Sequence, residues 1–224
     1  MRREAPPATC AAQRPRVAGG ASRRMKPLLQ AGARVLVRYR ARTSDQLGAA
    51  SVEAEGSGPA DLFDDPAALA GLSSAAAVTA AALPEREPHP GAFLAFEALA
   101  GALQVADIWP AVYVRFEAGL LEELGFGLDL SRCAATGSTE DLIYVSPRTG
   151  RAVSRDAGEP YKERLLALPP FLLSSQTGLG PGDVGTGLDL TGHFLEQFVF
   201  APLNRPLPPP RLWLIDRLRD AGRL

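Results

Sequence analysis

Residues 34–42 read Arg-Val-Leu-Val-Arg-Tyr-Arg-Ala-Arg, and their spacing could bind phosphate. Val35, Val37, Tyr39 and Ala41 alternate with Arg34, Arg38, Arg40 and Arg42, Leu36 being the exception on the basic side. Successive side chains of a strand point to opposite faces, so this alternation lines up the four arginines and turns Tyr39 toward a core. A Gly19-Gly20 loop just upstream carries Arg23, Arg24 and Lys26. Guanidinium and ammonium groups arranged this way neutralise phosphates and release counterions without reading bases. The plainer alternative is an exposed strand whose arginines are simply solvated.

Other chemistries find less support. Cys133 is isolated: the residue three positions on is Thr136, and His89 and His193 lie far away in sequence. Tetrahedral zinc needs four such ligands, so no metal or other cofactor is expected and Cys133 reads as a small buried side chain. Neither histidine has a visible carboxylate partner. Gly180 to Gly185 formally fits G-x-G-x-x-G, but no strand precedes it, no helix is expected to open on its last glycine, and Pro181 interrupts it. No phosphate-binding G-x-x-x-x-G-K-[ST], H-E-x-x-H or G-x-S-x-G occurs. Paired acids such as Asp64-Asp65, Glu122-Glu123 and Glu140-Asp141 suit caps and solvated faces. The expectation is a protein with no catalytic residues, not an enzyme.

Charge distribution says more than total charge. The 224 residues carry a formal charge of −1. Residues 1–42 nevertheless hold eleven basic side chains against one acid, Glu4, and residues 43–224 hold thirteen against twenty-four. A basic nucleic-acid-facing end on an acidic body follows. Two cysteines, Cys10 and Cys133, make no disulfide framework, which suits a reducing compartment. No apolar run is long enough to span a bilayer, and the basic start lacks the apolar core of a secretory signal.

The elements that must position these residues can be read in turn. Residues 1–18 show no periodicity and are expected to form an irregular basic tail. A second strand, Ala49 to Ala54, follows a turn at Ser44-Asp45, and Gly56, Gly58 and Pro59 end the region. A helical body begins near Asp64, with Asp65 as N-cap and Pro66 in the first turn. Its faces read Leu69, Leu72, Ala76 and Leu83, then Phe93, Phe96, Ala100 and Leu103 after the connector 84–90. The clearest helix follows: Tyr113, Phe116, Leu120 and Leu124 form one stripe that excludes Arg115, Glu117, Glu122 and Glu123, and Gly125 and Gly127 stop it. Tyr144-Val145 and Ala152-Val153 predict a hairpin turning at Pro147 to Gly150 and packed through Tyr144, Val145 and Val153. Beyond an amphipathic piece at Tyr161 to Leu168, residues 174–187 predict a flexible loop. Leu195, Phe198 and Val199 predict one more helix, and Leu212, Ile215 and Leu218 mark a last one after the prolines at 206–210.

The run YVRFEAGLLEELGFGLDLSRCAATG, followed by DLIYVSPRTGRAVS, resembles the RecO family of bacterial recombination and DNA repair proteins. GGASRRMKPLLQAGARVLVRYRAR resembles the basic end of that family's N-terminal barrel, and LTGHFLEQFVFAPLNRPLPPPRLWLIDRL its closing helices. The resemblance spans most of the chain beyond its first twenty residues or so. It implies an α+β, mostly α fold: an incomplete N-terminal OB-type β-barrel over 19–60, then a helical domain over 61–224 with a small zinc-free hairpin insertion at about 131–156. Two barrel strands that the family usually places in the first residues are not visible. The four cysteines that many members carry in two pairs around the knuckle are reduced here to Cys133. The implied function is that of a bacterial cytoplasmic, nucleoid-associated recombination mediator. It would bind single- and double-stranded DNA, promote annealing and, together with RecR, help load the recombinase RecA onto strands coated by single-stranded DNA-binding protein. Members bind the acidic, apolar C-terminal tail of that protein on the helical domain, and Arg115 and Arg132 are the cations near the motif that could face it; surface ion pairs to Glu122 or Asp129 are the alternative for either. The rival reading is a protein-binding adaptor whose barrel has lost its DNA affinity.

Overall fold

The computed structural model describes residues 16–17, 20, 22–23, 25–40, 49–55, 65–85 and 87–224. The tail 1–15, Arg24, Arg42, the side chain of Tyr39, and the expected turns at Ser44-Asp45 and Gly56 to Pro59 lie outside them.

The basic alternation forms strand β2, Val35–Arg40, and the second run forms β3, Ala49–Ala54. They pair antiparallel, with Arg40 opposite Ala49 and Val35 opposite Ala54. The irregular tail ends earlier than expected, because Arg16–Val17 form a short strand β1 parallel to β3. The resulting sheet has the order β1-β3-β2. Among the described residues it is open and is not a barrel; three short strands cannot curve far enough to hydrogen-bond first to last. The predicted apolar face is correspondingly poorly covered: Ala50 is buried, but Val37 is 47% exposed.

Helices dominate the rest. Helix α1, Pro66–Ala82, starts on Asp65, whose carboxylate accepts from the Ala67 and Ala68 amides. Its buried face is Ala68, Leu72, Ala75, Val78 and Ala82, while the expected Leu69, Ala76 and Leu83 sit at its margin. Small residues on that face allow close approach: a Cβ on Gly71 would lie 2.8 Å from the Trp109 ring. Helix α2, Pro90–Ala102, buries Ala92 and Leu99, with Leu103 just past its end; Phe93 points out, 46% exposed. Helix α3, Trp109–Glu123, buries Tyr113, Phe116 and Leu120 as expected, and ends on Gly125 at φ 84°. Because α1, α2 and α5 (Asp183–Phe194) all pack against it, Val114, Glu117 and Leu121 are buried too. The apolar stripe excludes Glu117, yet the structure buries it completely, at 0% exposure. Helix α6, Pro209–Asp220, packs on α1 through Leu214 and Leu218, with Arg211 inward and the expected Leu212 half exposed.

The hairpin forms as β4, Leu142–Val145, and β5, Ala152–Ser154, followed by the single-turn helix α4, Arg155–Gly158. A third strand, β6 (Leu166–Ala167), adds to β4, so the insertion is a three-stranded sheet of order β5-β4-β6. Two residues are too short a run for periodicity to reveal. Residues 183–187, expected within a flexible loop, instead open α5.

One polar network ties four helices together. The Arg211 guanidinium donates to both oxygens of Glu117, Nε at 2.7 Å and Nη2 at 2.9 Å, and Nη2 also reaches the Leu188 carbonyl at 2.7 Å. Thr191 and Tyr113 donate to the same carboxylate at 2.5 and 3.0 Å, and Ser74 Oγ lies 2.6 Å from the Tyr113 hydroxyl. Burial opposes the charge on Arg211, but the Glu117 carboxylate outweighs it and holds the guanidinium more firmly protonated than in water. Burial and the same carboxylate push the Tyr113 phenol well above its ordinary range. Gly192 makes room: a Cβ there would stand 2.9 Å from the guanidinium nitrogens. Removing one partner strands a buried charge. Arg211→Met alone is expected to cost about 3–5 kcal/mol in chemical denaturation, whereas Arg211→Met with Glu117→Leu recovers most of it.

Candidate nucleic-acid interface

The pleat of β2 puts Arg34, Leu36, Arg38 and Arg40 on one side, together with their cross-strand neighbours Ala49, Ser51 and Glu53. The pairing runs one residue further, since the Glu55 amide donates to the Arg34 carbonyl. Every one of these side chains is exposed, so this face of β2 and β3 meets solvent. The structure therefore brings Arg34, Arg38 and Arg40 together as the alternation predicts. Arg23 and Lys26 are exposed on the segment leading into the 3-10 turn Pro27–Leu29, which packs against β3.

Two of the three arginines have carboxylate neighbours that the sequence alone does not single out. Arg34 Nη1 lies 3.3 Å from Glu97 on α2, with the two side chains 66% and 46% exposed. Arg38 Nη1 lies 3.3 Å from Glu53 on β3, at 63% and 57% exposed. The alternation of 49–54 could have pointed to Glu53; Glu97 comes from a distant element and leaves no local signal. The sheet is seated on the body at Gly32, where φ is 77° and a Cβ would fall 2.5 Å from Leu72 of α1. Leucine contact and left-handed backbone both require glycine there.

The two arginines nominated for a peptide tail lie in different surroundings. Arg115 donates to the backbone carbonyls of Phe171 and Ser174, fastening that turn to α3. Arg132 is exposed, next to Cys133. The alternative ion pairs do not form as expected, since Asp129 faces Arg151 at 3.4 Å and Arg115 engages carbonyls.

His89, His193 and Asp183 make structural contacts. His89 does have a carboxylate neighbour, Glu123, 3.5 Å from Nδ1, contrary to expectation. His193 Nε2 lies 3.1 Å from the Pro147 carbonyl, bracing the hairpin turn. A helix does open within the glycine-rich 180–185 motif, at Asp183, but that carboxylate already accepts the Gly180 amide at 2.7 Å and fills the place of an anion. Among the described residues no group of three or more His, Cys, Asp or Glu is arranged to hold a metal. No described helix is long and apolar enough to cross a membrane.

Cys133, 1% exposed, holds the knuckle by a different device. Its sulfur accepts from Ser154 twice, from the amide at 3.2 Å and the hydroxyl at 3.3 Å. The strand end that carries Ser154 is thereby pinned to the loop that carries Cys133. Burial works against a thiolate, but the hydrogen bonds from Ser154 and Thr136 outweigh it and bring the thiol from its ordinary 9.0 down to about 6.

Comparison with known proteins places this arrangement in context. The family model described as Recombination protein O C terminal matches residues 64–206. The DNA repair protein RecO of Phenylobacterium zucineum is 76% identical over 208 residues, which cover 93% of this chain and 86% of that protein. The protein of the same name from Caulobacter vibrioides NA1000 is 73% identical over 208 residues, with the same coverage. That from Rhodospirillum centenum is 55% identical over 207 residues, covering 92% and 82%.

A depressed thiol pKa adds stability that is complete above pH 9 and is lost as the pH falls through about 6. Ser154→Ala removes the hydroxyl donor. Titration of thiolate absorbance in the folded protein is expected to show the Cys133 midpoint moving up, and the pH dependence of stability between 6 and 9 flattening with it.

Proposed function

The chain belongs to the RecO family, and from that membership together with the exposed arginine face we propose that it is a DNA repair and recombination mediator. In this reading it binds single- and double-stranded DNA through the sheet, promotes annealing, and helps load RecA onto strands coated by single-stranded DNA-binding protein, acting with RecR in the bacterial cytoplasm. No covalent chemistry is required. Two phosphate backbones repel, and cations set between them lower that repulsion while leaving the bases free to pair. The acidic helical body serves as the docking part for the protein partners. For the tail of single-stranded DNA-binding protein, Arg132 is the better placed of the two nominated cations, since the Arg115 guanidinium is already committed to two backbone carbonyls.

The observation that carries the DNA reading is the alignment of Arg34, Arg38 and Arg40 on an exposed face of β2 and β3. The adaptor reading draws support from Glu53 and Glu97, which partly offset that charge. Fluorescence anisotropy with labelled single and double strands across a salt series separates them. The mediator reading expects affinity to fall steeply with salt, and charge reversal at Arg34, Arg38, Arg40 and Arg42 to weaken it, each lost contact reducing the log–log slope by about 1. An adaptor would bind the acidic tail peptide normally and neither kind of strand.

A further inference from the structure

Beyond the arginines themselves, we propose that Glu97 and Glu53 are built-in competitors for DNA: they hold Arg34 and Arg38 in a paired resting state, and phosphates must displace them. The proposal rests on the DNA-binding reading and deepens it.

Two of the three guanidinium groups on this face meet carboxylates: Arg34 faces Glu97 from α2, and Arg38 faces Glu53 on β3. Both carboxylates stand 3.3 Å from a guanidinium nitrogen. Pairing of this kind offsets part of the pull that the face exerts on a polyanion. The pairs are also built to exchange. All four side chains are about half exposed or more, so water and salt screen them. Each pair uses one guanidinium nitrogen rather than the two-pronged geometry that makes such contacts strong. An incoming phosphate offers the same acceptor chemistry with counterion release added. The Glu97 pair has a second consequence, because it spans from the sheet to the helical body. When Arg34 turns to a phosphate, the sheet loses its ion pair to α2, and the Gly32–Leu72 contact with α1 remains. Engagement of DNA would thus reach the docking part of the molecule.

The test is anisotropy with a single-stranded oligonucleotide at low salt, on the full chain carrying Glu97→Gln, Glu53→Gln or both. Glu87→Gln, at an exposed position in the connector just ahead of α2, is the control for overall charge. Each paired glutamate removed should tighten binding about two- to fivefold, the range exposed ion pairs span, and Glu87→Gln clearly less. The gain should shrink as salt is added. It should also vanish for Glu97→Gln in an Arg34→Ala background and for Glu53→Gln in an Arg38→Ala background. DNA binding that appears only in the double glutamine variant would support the proposal in its strongest form. Unchanged or weaker binding in the glutamine variants, an equal gain from Glu87→Gln, or a gain that persists without the partner arginine would overturn it while leaving the DNA reading intact. Failure of every variant to bind DNA, or indifference of binding to the arginine substitutions, overturns the DNA reading and this proposal together.

Discussion

The helical body is arranged around a single buried ion pair. Glu117 and Arg211 come from helices ninety-four positions apart, and both are withdrawn from water, at 0% and 3% exposure. Desolvating two such ions costs several kcal/mol each, and only good geometry with every remaining lone pair and proton satisfied can offset it. Here the fork is two-pronged, Tyr113 and Thr191 fill the carboxylate, and the Leu188 carbonyl takes a further guanidinium proton. Ser74 extends the chain to α1. A slip of one residue in α3 or α6 would leave a charge unpaired in an apolar interior, and one in α5 would withdraw the Thr191 hydroxyl and the Leu188 carbonyl, so the network fixes the rotation of these helices as well as their proximity. Apolar packing alone tolerates small shifts; this arrangement does not.

That same network shows where sequence reasoning runs out. The stripe Tyr113, Phe116 and Leu120 is legible because it contrasts with charged neighbours, and the contrast misleads at Glu117, a charged residue that faces inward. Arg211 is hidden likewise, between three prolines and the apolar run that starts at Leu212. In α1 the difficulty is the reverse: its buried face is built mostly of alanine, glycine and serine, which differ little from the half-buried alanines around them. Size favours Phe93 as an inward residue, yet Ala92 and Leu99 take that side, and of the two α2 rings it is Phe96 that reaches α3, edge-on to Phe116. The hairpin and the basic strand are readable because turn residues and strict alternation act locally. Strand β6 and the Glu97 neighbour of Arg34 depend on chain segments far apart, and no local pattern encodes them.

The knuckle around Cys133 illustrates a substitution of means. A tetrahedral metal site would cross-link loop and hairpin through several thiolates. With one cysteine in the knuckle, the cross-link is made of hydrogen bonds: Ser154 to the sulfur, Ala134 to the Ala152 carbonyl, and Asp129 to the Gly150 carbonyl. Apolar burial of Val145, Ala152 and Val153 and the close seating of Tyr144 on Gly158 supply the rest. Each bond is weak, but they surround a small volume and act together, so the shape persists from many modest terms instead of one strong one.

Arginine–glutamate pairs occur in this protein in two environments, and water decides what each can do. Between α3 and α6 the pair is dry, two-pronged and cross-braced; separating it would leave both ions stranded, so it is permanent for as long as the protein is folded. On the sheet the same two residue types meet in solvent through single contacts, where separation costs little because water stands ready to replace either partner. The first arrangement can hold a fold and cannot respond to a ligand. The second contributes little to the fold and can give up its arginine to another anion. The proposed DNA-binding role calls for both, a rigid docking body and a releasable grip on a polyanion, and one chemistry placed on opposite sides of the solvent boundary can supply them.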